Sequence, residues 1–86
     1  MSSARAAREV GAAARPRAAY HLELAEAQIS RADELIEAGR MDEAERMLMR
    51  AQADADLAIV LTREAEVLAE AEEVRERIRE MRERHL

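Results

Sequence analysis

Apolar residues recur at alternating spacings of four and three along two stretches of the chain. In the first, Ala18, Leu22, Ala25, Ile29, Ala32 and Ile36 form one stripe, widened at its end by Leu35, while Glu23, Glu26, Gln28, Arg31, Asp33, Glu34 and Glu37 lie opposite. In the second, Ala44, Leu48, Ala51, Ala55 and Ala58 lead into an LAIVL segment at 57–61. The repeat then resumes as Val67, Ala71, Val74, Ile78, Met81 and His85. A period near 3.6 predicts two amphipathic helices, 16–38 and 43–84.

The pattern breaks between Leu35 and Met49, in LIEAGRMDEAERMLM. Gly39 can adopt the left-handed conformation that closes a helix, because it has no Cβ to clash. Asp42 and Glu45 stand at capping-box spacing, each side chain placed to accept the other's free N–H. The turn is therefore predicted at 39–42, and Pro16 fits the first helical position, where a missing N–H costs nothing. The expected fold is all-α: an antiparallel helical hairpin with a long second helix.

The two arms differ in length. Counted outward from the turn, the first reaches about Thr62, so 63–86 carries an apolar stripe with nothing in the chain to bury it. That surplus predicts a coiled-coil-like oligomer, a dimer first and otherwise a four-helix bundle, joined through Ile59, Val60, Leu61, Val67, Leu68, Val74, Ile78 and Met81. Residues 1–15 read as a flexible leader, since their apolar positions are nearly all Ala. Their Arg, Ala and Ser content also gives a superficial likeness to a transit peptide.

Composition narrows function more than fold. Ala supplies 20 of 86 positions, and there is no Phe or Trp. Such a chain forms helices readily but buries little per residue, so it gains from a partner. The net charge is −5, and an acidic body with interleaved signs does not suit a phosphate backbone, which excludes nucleic acid from the expected partners. No apolar run is long enough to span a bilayer. With no Cys, disulfides and thiolate chemistry drop out.

Candidate chemistry is sparse. His21 has Leu24 and Ala25 at i+3 and i+4, not the second ligand a metal would need, so it is expected to rest its ring on the seam. Asp54 with Asp56, and Glu72 with Glu73, are too close in sequence to converge on one helix. Glu73–Arg77 and Glu80–Arg84 have the favourable i to i+4 order for ion pairs. Met41, Met47, Met49 and Met81 are expected to fill core gaps. Thr62 is expected to bond a preceding carbonyl. No catalytic residue, metal ligand or cofactor-binding residue is assigned, and the chain is expected not to be an enzyme.

Two resemblances bear on this. LIEAGRMDEAERMLMRA resembles the middle of a tetratricopeptide-type helix pair, although only one unit is present. The longer run from Ala14 to Glu66 has Pro16, His21 and Leu22, then Leu35, Ile36 and Gly39, then RAQADADLA at 50–58. It resembles a bacterial domain-of-unknown-function family of small helical cell-envelope proteins, often lipoproteins and some fused to OmpA-like domains. That resemblance implies a structural or interaction module of the envelope, periplasmic or outer-membrane associated if an export signal has been removed, with another envelope protein as a further candidate partner. The alternative expectation is a cytoplasmic adaptor or regulatory coiled coil that binds a partner protein.

Overall fold

The computed structural model describes residues 2–85. They form three α-helices, α1 (Ser2–Glu9), α2 (Pro16–Glu37) and α3 (Met41–Arg84), with a 3-10 turn at Ala12–Ala14, and no strand among the described residues. The shape is very extended, 72 × 16 × 15 Å. Its radius of gyration is 19.0 Å, against about 12 Å for a compact domain of this length.

Three small clusters hold α2 to the first half of α3. Ala32 and Leu35 meet Ala44; Ala25 meets Ala51 and Ala55; Ala18 and Leu22 meet Ala58. Numbers rise along α2 as they fall along α3, so the two helices pair in opposite directions. The seam is mostly Ala, whose single methyl lets the backbones approach closely while contributing little apolar area. Leu35, not Ile36, closes its lower end: Leu35 is 3% exposed and Ile36 is 42%.

Residues 1–15 depart from the expected flexible leader. Gly11 takes φ 87, and this left-handed residue ends α1 and turns the chain back through Ala12–Ala14 into α2. Ala7 and Ala12 are fully buried with Ala18, Leu22 and Ala58, and Ala4 packs beside them. Arg8 Nη2 donates to both carboxylate oxygens of Glu26, at 2.8 and 2.6 Å, and so ties α1 to α2. The physical reason lies in the LAIVL segment, which is apolar on more sides than α2 alone can cover. Ile59 and Leu61 are half-buried against the cluster that Ala7 and Ala12 complete.

The turn is also tighter than predicted. Ala38 ends α2 and Gly39 follows at φ 77. Gly39 N–H donates to the Ile36 carbonyl at 3.0 Å and Arg40 N–H to the Leu35 carbonyl at 2.8 Å, the paired bonds of a Schellman closure. α3 then begins at Met41, two residues before the expected start. Its N-cap is Arg40, which makes no side-chain cap bond. Asp42 and Glu45 therefore do not form a capping box. They fall inside the helix, where Asp42 with Glu43 favours the positive end of the helix dipole.

Candidate interaction surface

Thr62 is the last buried residue of α3, and none from 63 to 85 is buried. Its hydroxyl donates to the Ala58 carbonyl at 2.8 Å, which satisfies a polar group at 1% exposure without a second helix. Beyond it α3 continues to Arg84 as a single helix, with no Gly or Pro to stop it.

This unpaired segment presents the predicted stripe to solvent. Val60, Val67, Leu68, Val74, Ile78 and Met81 are all exposed. Ile59 and Leu61 are the correction to the expected interface, because both pack inward on the chain's own cluster. The exposed set also extends further toward the turn than the interface expected from Ile59 onward. Leu57 and Val60 are exposed on the face of α3 turned away from α2, since Val60 lies about 160° round the helix from the buried Ala58 at 100° per residue. Leu57, Val60, Val67, Ala71, Val74, Ile78 and Met81 thus fall on one line at three- and four-residue steps, interrupted only by Glu64. The signal was present in the sequence, but the inward-facing Ala58 and Ile59 between them hid it.

Ion pairs support the free segment locally. Arg75 pairs with Glu72 at 3.5 Å and Arg79 with Glu76 at 3.0 Å. These i to i+3 partners form in place of the expected Glu73–Arg77 and Glu80–Arg84 pairs. The methionines also differ from expectation. Met47 packs on the Ala32, Leu35 and Ala44 cluster, whereas Met41, Met49 and Met81 are exposed.

A second feature joins α2 to α3. His21 Nδ1 lies 3.0 Å from Asp54 Oδ1, and Gln28 Nε2 donates to Asp54 Oδ2 at 3.1 Å. Each pairing crosses from one helix to the other, which is why spacing along α2 alone did not disclose it. The Asp54 carboxylate can only accept, so the imidazole N–H sits on Nδ1. Tyr20 stands edge-on to the ring, centroids 5.1 Å apart. No group of three His, Asp or Glu side chains is placed to hold a metal ion among the described residues. The cluster's evident effect is to fix the lateral register of the two helices.

A shallow groove of about 320 Å³ opens where α2 begins, lined by Pro16, Ala18, Leu61, Ala65 and Leu68 with Arg15, Arg17 and Glu64 at its rim. It lies on the side of α3 that faces α2, apart from the exposed stripe. Among the described residues no helix is long and apolar enough to cross a membrane. Comparisons with protein-family profiles, curated proteins and solved structures find no match to this chain.

Proposed function

We propose that this chain is a non-enzymatic interaction module: an antiparallel α2–α3 hairpin, braced by α1, that presents the far half of α3 for self-association as a coiled-coil-like dimer. The observation that supports this reading is the line of exposed aliphatic side chains from Leu57 to Met81 on a helix in which, among the described residues, none past Thr62 is buried. Contiguous apolar surface of that kind marks an interaction site, and a three-four repeat selects another helix as the thing that covers it. The resemblance carried by Pro16, His21, Leu22, Leu35, Ile36, Gly39 and the run at 50–58 supports a place in the bacterial cell envelope, with residues 63–85 as the contact surface.

Sedimentation equilibrium at micromolar concentration tests the reading. The full chain is expected to be a dimer, and Val74→Glu with Ile78→Glu is expected to yield a monomer whose helix content falls only in the far segment. A wild-type chain that sediments as a well-folded monomer at these concentrations would overturn it.

A further inference from the structure

We infer that the occupant of the exposed stripe is the same segment of a second copy, lying antiparallel and centred near Glu72 and Glu73. This rests on the self-association just proposed and adds the polarity of the pairing.

The first ground is the charge distribution of the unpaired segment. Residues 63–73 carry one Arg against five Glu, whereas 74–85 carry five Arg against three Glu. A parallel pair would set acidic half beside acidic half and basic half beside basic half. Reversal of one copy places each acidic half along the other's basic half, and like charges placed opposite one another are a recognised device against the wrong arrangement.

Register gives the second ground. The stripe assigns Glu64, Ala71 and Ile78 to one set of core positions and Val60, Val67, Val74 and Met81 to the other. In a parallel pair Glu64 meets its own copy across the seam, two carboxylates facing each other in an apolar layer, which is costly. The flanking positions would also set Arg77 against Arg82. In the antiparallel pair each core residue of one set faces the other set. The register nearest the charge boundary matches Ala71 with Val74, Val67 with Ile78, and Glu64 with Met81 of the second copy. Glu70 then flanks Arg77 of the second copy, twice by symmetry. Arg63 approaches Arg84 of the second copy at the two ends of the overlap, a like-charge contact at exposed positions that salt screens.

Surface area gives the third. The chain exposes 6431 Å², against about 5,100 Å² for a compact protein of its mass. The excess, about 1,300 Å² per chain, is ample for an interface of standard size. The stripe lies on the side of α3 away from α2, and the overlap ends where each α2 begins, so neither packed end obstructs the other.

Because the chain has no cysteine, introduced thiols report the pairing directly. Val67→Cys and Ile78→Cys are made separately in the full chain and oxidised alone and as an equimolar mixture. The mixture is expected to give a disulfide-linked heterodimer in at least tenfold excess over the linked dimer of either variant alone. Linked dimers from each variant alone, at the mixture's level or above, would establish parallel pairing and overturn the inference. A dimer by sedimentation with no linkage in any sample would place the contact elsewhere and also overturn it. A monomer by sedimentation would instead remove the self-association on which it rests. An independent check is a spin label on Asp42→Cys, remote from the seam. Antiparallel pairing sets the two labels ~90 Å apart at 1.5 Å per residue, at or past the limit of dipolar measurement, whereas parallel pairing brings them well within range.

Discussion

His21 on α2 and Asp54 on α3 are joined at 3.0 Å across 33 positions of sequence, and Gln28 holds the other oxygen of the same carboxylate. Both side chains of the pair are about three-quarters buried, at 25% and 21% exposure. Removal of the carboxylate strands two donors, whereas removal of the imidazole strands none. Asp54→Ala is therefore expected to cost about 2 kcal/mol and His21→Ala about 1, with a double-mutant coupling near 1 kcal/mol. Urea unfolding followed by circular dichroism measures all three. Equal costs with no coupling would mean the pair does not hold the helices together.

Gly39 at φ 77 has nothing within 4 Å of where a Cβ would stand. A substitution there meets no neighbour, so its cost is that of the backbone conformation alone. Gly39→Ala is expected to lose about 1 kcal/mol, and Gly39→Asn less, since Asn tolerates the left-handed region better. A larger loss for Asn than for Ala would show that side-chain crowding governs the site.

Arg40 and Glu43 form the ion pair at the start of α3, at 2.5 Å. The hydrogen bond from Arg40 holds the Glu43 carboxyl below its ordinary range. A carboxyl depressed in the folded state adds stability above its unfolded pKa and loses it as pH falls through the lower folded value. Glu43→Gln should therefore flatten the acid limb of the stability profile and leave its shape near neutrality unchanged. Thermal melts of both proteins between pH 2 and pH 7, a range that spans carboxyl titration, provide the comparison. An acid limb of unaltered steepness would count against the pair.

Ala7 and Ala12 are buried in the cluster that contains Leu22. Ala12→Glu is expected to release the amino-terminal segment and cost about 2 kcal/mol or more, because the charge must reach water or displace packing. Proteolysis should then cut within 1–15 faster than in the wild type. A freely mobile leader would show neither change.

Much of this could be read in the sequence for reasons that are local. Gly39 is the only residue of the connecting stretch without a Cβ, and the Ala seam repeats at a helix's own period, so both are visible without knowledge of the partner. Thr62 likewise finds its acceptor one turn back on the same helix. What stayed hidden depends on residues far apart in the chain. The burial of Ala7 and Ala12 needs the apolar back of Ile59 and Leu61, and His21 needs Asp54. The cap at Arg40 is hidden for a different reason: Asp42 and Glu45 have the spacing of a capping box, but the Schellman closure uses Arg40 N–H and leaves α3 free to begin at Met41.

The unbroken passage of α3 beyond Thr62 makes the chain a ruler. A seven-residue insertion between Thr62 and Val67 would carry the distal stripe about 10 Å outward while rotating it by only about 20°. An insertion of two residues would instead swing the stripe to the far side. Reach can thus be lengthened in whole repeats without loss of facing, whereas an insertion out of step with the helical period turns the stripe away from where it now points.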